Sequence, residues 1–237
     1  MPPEYRRQRR SYGILWALVV IALVVLAFYL GSRYGAFSIP QQPASSTPTT
    51  TVTTVEAGSE YYSNPAEWQT YSDTAAGYSI AYPIDFSADE PNAPKSSTDW
   101  MMNNVAQAPG LKTFTLTIPS AFEPQTNFAD ATLTVGYSTN SKAIANCLLA
   151  QNGEATGTPA TTNGTSFDVF TVNDAGAGNL YDTTSYRTVS ASRCYVVEYT
   201  IHSSQIANYP SSYDLQPFNE GQVQAVLDKV VGTFTFL

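Results

Sequence analysis

The stretch GILWALVVIALVVLAFYL, residues 13–30, constrains this chain more than any other feature. It is eighteen residues without a charge, and as a helix it reaches about 27 Å, close to the hydrocarbon thickness of a bilayer. Such a segment is expected to span a membrane. Arg6, Arg7, Arg9 and Arg10 precede it and only Arg33 closely follows it. The positive-inside rule therefore places residues 1–12 in the cytoplasm as a basic tail and the rest of the chain outside. Trp16, Phe28, Tyr29 and Tyr34 suit the interfacial belts. A cleaved signal peptide has a shorter apolar core and a small-x-small site, and here Gly35-Ala36 is a weak one. A lipoprotein would carry a cysteine directly after the run, a type IV pilin a glutamate where this chain has Leu18, and a twin-arginine signal a context that is missing around RRQRR. The segment reads as an uncleaved anchor, and the chain as a single-pass cell-membrane protein.

Residues 31–59 form a linker, of which SIPQQPASSTPTTTVTTVEAGS is a Pro/Thr/Ser tract with few bulky apolar residues to bury. It is expected to act as an extended spacer rather than as an O-glycosylated stalk. The charge divides near the same place. Residues 1–37 hold five Arg and one Glu, +4, whereas residues 38–237 hold six Lys and Arg against eighteen Asp and Glu, −12, giving the net −8. An outer portion that acidic repels phosphate backbones and excludes nucleic acid as a partner. A protein or glycan partner outside the cytoplasm is expected instead.

Residues 60–237 are long enough for one ordinary domain with a proper core. Alternation at period two marks half-buried strands. In KTFTLTIP, Phe114, Leu116 and Ile118 share one face while Thr113, Thr115 and Thr117 take the other; in DATLTVGYS the apolar set is Ala131, Leu133, Val135 and Tyr137. Further strands are expected at 67–71, 78–82, 166–172, 181–189 and 194–201, the last two pairing as a long hairpin across SASR. A middle helix over Ser141–Ala150 brings Ile144, Cys147 and Leu148 to one side. In a C-terminal helix, Val223, Val226, Leu227, Val230 and Val231 follow helical spacing. Asn219 and Gln222 are placed as N-cap partners, Gly232 to end the helix, and TFTF as a closing strand. The class is α+β, a mostly antiparallel sheet with both helices packed on it.

Two stretches resemble a known family. GYSIAYPIDF, residues 77–86, resembles the Gly-Phe-x-Ile-x-Tyr-Pro-x-x-Trp opening of the PsbP-like superfamily, and VLDKVVGTFTF, residues 226–236, is similar to its terminal helix and closing strand. The resemblance covers about 20 residues at the two ends of the domain. It implies an α/β/α sandwich around an antiparallel sheet, and an extracytoplasmic accessory or assembly role without a shared catalytic site. The cysteines and the long middle hairpin lie outside that pattern.

RCYVVEYTIH, residues 193–202, carries Cys194 and the chain's only histidine, His202. Eight residues apart on one strand, they share a face at about 27 Å, so they do not form a nucleophile-base pair. On that strand Tyr195, Val197, Tyr199 and Ile201 take one face, and Cys194, Val196, Glu198, Thr200 and His202 the other. If Cys147 comes from a helix over the second face, the two sulfurs meet. A disulfide in an oxidising compartment is the expected reading, contributing about 3 to 4 kcal/mol in the chain-entropy model. No Gly-x-Ser-x-Gly elbow appears, and one histidine with two paired cysteines makes a poor zinc site.

In NDAGAGNLYD, Asp174, Asn179 and Asp182 supply oxygen ligands beside flexible glycines, a weak candidate for Ca²⁺. The spacing matches no EF-hand, and Asn or Asp beside Gly is ordinary turn chemistry, so a turn is expected and no cofactor. Asn152-Gly153 and Asn163-Gly164 likewise read as turns, the latter opening the sequon Asn163-Gly164-Thr165. Tyr61, Tyr62, Trp68, Tyr71, Trp100, Tyr209 and Tyr213 could form a contact surface, with packing the expectation for most. Together these readings predict a non-catalytic, membrane-anchored binding or accessory module. The competing classes are an envelope hydrolase, which needs a deep pocket where two acids or His202 and a serine converge, and a pilus-like surface subunit.

Overall fold

The structure is a computed structural model and describes residues 67–237 apart from 92–93, 102–106 and 152. The basic tail, the apolar run, the linker and Tyr61 and Tyr62 lie outside the described residues, as does Asn152. Among the described residues no helix is long and apolar enough to cross a membrane.

Two sheets form. β1 (Trp68–Asp73), β2 (Tyr78–Pro83) and β11 (Thr235–Phe236) make a small antiparallel sheet in the order β1-β2-β11. In the larger sheet, β3 (Ser87–Asp89), β5 (Gly110–Pro119), β6 (Phe128–Ser138), β10 (Arg193–Ser204), β9 (Asn179–Ser190), β8 (Thr165–Gly176) and β7 (Thr158–Thr162) lie side by side in that order. β4 (Ser96–Ser97) pairs with β5. The ladders are antiparallel, and the one parallel pairing among the described residues is the isolated bridge between Thr126 and Gln216. A mostly antiparallel sheet with two helices is an α+β arrangement.

The alternation read in β2, β5 and β6 is met by the core. Tyr78, Ile80 and Tyr82 of β2 are buried with Phe114, Leu116 and Ile118 of β5 and Leu133 and Val135 of β6. Helix α2 (Glu220–Val231) closes this side. Its Val223, Val226, Leu227, Val230 and Val231 are all buried, each worth roughly 1.5–3 kcal/mol. Asn219 caps it by accepting from the Gln222 backbone N–H at 3.2 Å. Two phenols, Tyr199 at 2.9 Å and Tyr186 at 3.1 Å, donate to Asp228 Oδ1 and pin the helix to the sheet. Burial, with Asp228 nearby, pushes the Tyr186 phenol up to about 12. Burial first also raises Tyr71 and Tyr82 to about 12, and it moves Tyr78 and Tyr199 upward.

Gly232 ends α2, but not through the left-handed conformation that usually selects glycine there. Its φ is −59°, and a Cβ would stand 3.2 Å from the carbonyl oxygens of Asp228 and Lys229. The middle helix, α1, is shorter than its pattern predicts: it spans Ser141–Asn146. Ala143 and Cys147 are its buried positions, while Leu148 is exposed. The helix gives way to tighter i→i−3 turns, the Cys147 N–H donating to the Ile144 carbonyl at 3.4 Å and the Leu149 N–H to the Asn146 carbonyl at 3.1 Å, and beyond it the Leu149 carbonyl accepts from Gln151 Nε2 at 2.6 Å and Arg187 Nη1 at 3.4 Å.

Residues 173–182 contain the expected turn, but it is only two residues long. They are not a loop but the end of a long hairpin, paired up to Gly176 and Asn179. Only Ala177 and Gly178 turn, both with positive φ, 52° and 83°, the twist that suits a two-residue hairpin. The turn at Ala191 and Ser192 is of the same kind without any glycine.

Candidate ligand-binding site

β10 lies in the middle of the larger sheet and is buried from Cys194 to Tyr199. Its odd-numbered residues Val197, Tyr199 and Ile201 enter the main core, while Cys194 and Val196 enter a second cluster with Trp100, Met101, Ala108, Ala143 and Cys147. The helices therefore serve opposite faces of the sheet. On the α1 face the apolar cluster covers only the Cys194 end, and the other end of that face is polar and open.

Register sets the floor of this open region. His202 pairs with Asp130 on one side and Tyr181 on the other, Thr200 with Thr132 and Thr183, Glu198 with Thr134 and Ser185. β5 adds Thr117 and Thr115 beyond Thr132 and Thr134. Same-face side chains on adjacent antiparallel strands stand about 5 Å apart, so the floor is a lattice of hydroxyls bounded by a row of Asp130, His202 and Tyr181. Thr183 and Thr200 are bonded Oγ1 to Oγ1 at 2.9 Å.

The wall comes from the segment before β5. Trp100 is 1% exposed and donates its indole N–H to the Ala108 carbonyl at 3.0 Å. It can lie this close because Gly110 and Gly136 have no Cβ: one on Gly110 would be 2.4 Å from the indole ring, and one on Gly136 would be 2.7 Å from the Met101 methyl. Floor and wall enclose a pocket of about 450 Å³, with Asp99, Met101 and Lys112 at its sides. Cys147 and Cys194 are joined by a disulfide with the Cα atoms 5.6 Å apart, fixing α1 to β10 at the closed end of the face.

His202 is held at both ring nitrogens. Nδ1 is 3.1 Å from Asp130 Oδ2 and Nε2 is 2.9 Å from Asn179 Oδ1, and the ring stacks on Tyr181 with centroids 4.6 Å apart. Both ring nitrogens are thus engaged within the domain. Asp130 and Glu198 are separated by four residues of paired strand, about 13 Å, beyond the roughly 5 to 10 Å at which paired carboxylates cleave glycosides. Among the described residues no serine or cysteine lines the pocket.

The remaining sequence candidates are scattered. Asp174 pairs with Tyr181, Asn179 with Gly176, and Asp182 with Asn173, which puts Asp182 on the opposite face of the hairpin from Asp174 and Asn179. The three do not converge, and the Asp182 carboxylate accepts instead from the Asn173 amide. Among the described residues no group of three or more His, Cys, Asp or Glu side chains is placed to hold a metal ion. Of the aromatics, Trp100 is buried, Trp68 and Tyr71 pack on the main core, and Tyr209 and Tyr213 are exposed. Sequence reading did not find the pocket. Its one available signal was the run of threonines in KTFTLT and ATLT, whose hydroxyls all fall on the face away from the core, except Thr113, which a bulge between Lys112 and Phe114 turns inward to Tyr78.

No family model matches the chain, and no curated protein matches it. Among solved structures it is similar to the solution structure of cyanobacterial PsbP (CyanoP) from Synechocystis sp. PCC 6803, with 12% identity, 83% of this chain and 100% of that chain covered, and a TM-score of 0.37.

Proposed function

We propose that the chain is a single-pass membrane protein with its N-terminus in the cytoplasm, whose α+β domain works outside as a non-catalytic binding or accessory module and holds its ligand in the pocket on the α1 face. The observation that carries this reading is a preformed polar pocket whose one imidazole is committed at both nitrogens. Such a site is suited to orienting a ligand. The eighteen-residue apolar run supplies the anchor and the Pro/Thr/Ser tract the spacer. The hydrolase alternative is less favoured: among the described residues no serine lines the pocket beside His202, and the floor carboxylates Asp130 and Glu198 stand about 13 Å apart along the strands.

The test is photo-crosslinking in the native membrane, with the reactive group at Lys112 on the exposed rim of the pocket and, as a control, at Lys142 on α1. A partner captured from Lys112 and not from Lys142 supports the reading. Recovery of the same abundant bystanders from both positions counts against it. Protease added to intact cells should degrade residues 60–237; protection until lysis would reverse the topology.

A further inference from the structure

Resting on that reading, we infer that the ligand is an uncharged carbohydrate, bound through its hydroxyl groups across the threonine lattice of the pocket floor. Each threonine hydroxyl both donates and accepts, and Thr132, Thr134 and Thr200 line the pocket in two adjacent rows. Neighbouring positions stand about 5 Å apart across the strands and about 7 Å apart along them, so a ligand that carries several hydroxyl groups can meet more than one of them at once. Carboxylates at Asp99, Asp130 and Glu198 accept from sugar hydroxyls, and Lys112 donates to them. The Tyr181 ring, backed by His202, offers a flat tile at the end of the lattice for the C–H face of a sugar.

Other ligand classes fit less well. Three carboxylates against one lysine repel phosphate, sulfate and uronate groups. Among the described residues Met101 is the one aliphatic side chain in the lining, and an apolar ligand would leave the hydroxyls without partners. A cation finds Asp130 already bonded to His202 and no cluster of three ligating groups among the described residues. The volume of about 450 Å³ lies within the range of small-molecule sites and suits a short oligosaccharide segment.

The experiment uses the full chain in phosphocholine nanodiscs, which avoids sugar-headed detergents. Saturation-transfer NMR is run with maltotetraose, cellotetraose and chitotetraose, and with spermidine and tetralysine as cationic probes. At least one tetrasaccharide should bind, with affinity lowered about tenfold or more by Thr132→Val with Thr200→Val, which removes two hydroxyls at little change of shape. Should that pair of changes unfold the domain, Lys112→Ala on the exposed rim replaces it, with a weakening of about threefold or more expected. Sugar binding that survives these changes overturns the inference. Binding of spermidine or tetralysine alone, abolished by Asp130→Asn, overturns the ligand class while leaving the pocket as the binding site. Silence from every probe, together with no specific capture from Lys112, removes both the inference and the reading beneath it.

Discussion

Arg187 and Glu154 form an ion pair whose side chains are 0% and 1% exposed. The guanidinium also donates to Ser185 Oγ at 3.1 Å and to Glu154 Oε2 at 3.0 Å, and it lies 4.5 Å over the Phe170 ring. Glu154 Oε2 in turn accepts from the Gln151 backbone N–H at 2.6 Å. With both charges out of water, desolvation offsets most of their attraction, so the pair and the lone ion should differ sharply. Glu154→Leu leaves a buried guanidinium without its counter-charge and should cost about 3–5 kcal/mol, lowering Tm by roughly 10 °C in a domain of this size. Arg187→Met combined with Glu154→Leu removes both charges and should recover most of that loss, leaving a net change of about 1 kcal/mol or less. The assay is urea unfolding followed by tryptophan fluorescence across the double-mutant cycle. A single Glu154→Leu change costing under about 1 kcal/mol, or a double variant as damaged as the sum of the singles, would refute the reasoning, because either result means that the pair is hydrated in solution.

Reducing the Cys147–Cys194 disulfide removes a constraint on the unfolded chain and should cost about 4 kcal/mol in the entropic model for a separation of 47 residues; thermal melts with and without reductant measure it, and denatured unreduced protein should show no reactive thiol. Tyr71, Tyr82 and Tyr186 stay neutral up to about pH 12 when folded, whereas in the unfolded chain they ionise near 10. Stability from these groups is therefore complete below pH 10 and falls as pH rises towards 12, which a series of urea midpoints from pH 8 to 11.5 would reveal as a steepening loss. Leu227→Ala, at a position with 0% exposure in the core between α2 and the sheet, should cost about 2–5 kcal/mol. Gly110→Ala forces a methyl against the Trp100 ring and should cost about 1–3 kcal/mol, with a shift in tryptophan emission as the indole is displaced.

The parts of this fold that were legible in the sequence are those where one periodicity acts alone. Val223, Val226, Leu227, Val230 and Val231 had only a helix to belong to, and Phe114, Leu116 and Ile118 only one core face to fill. The separation of β10 into two faces was also readable, since Cys194 to Ile201 alternate between the two clusters. What escaped was set by distant partners. α1 gives way after Asn146 to i→i−3 turns, and the Leu149 carbonyl beyond it is taken by Arg187, thirty-eight positions away. The 173–182 segment stays in the ladder because β10 supports β9 along its whole length, and Ala177 takes a left-handed turn that favours glycine or asparagine. The pocket joins residues of β5, β6, β9 and β10 with Asp99 and Met101, and its floor carries the polar half of each alternation, the half that a search for cores passes over. Asp174, Asn179 and Asp182 were near each other in sequence, yet strand alternation sends Asp182 to the far side of the hairpin.

The small sheet has a mechanical corollary. Trp68 enters it beside Pro83, whereas Phe236 leaves it beside Tyr78, and β1 and β11 flank β2 from either side. A tug applied between the linker and the C-terminus therefore drags the two outer strands in opposite directions along β2, so their hydrogen bonds bear load together instead of unzipping in turn. The shorter ladder, the two residue pairs joining β11 to β2, is where the assembly yields first, which makes Thr235 and Phe236 the tensile fuse of the sheet under such a load.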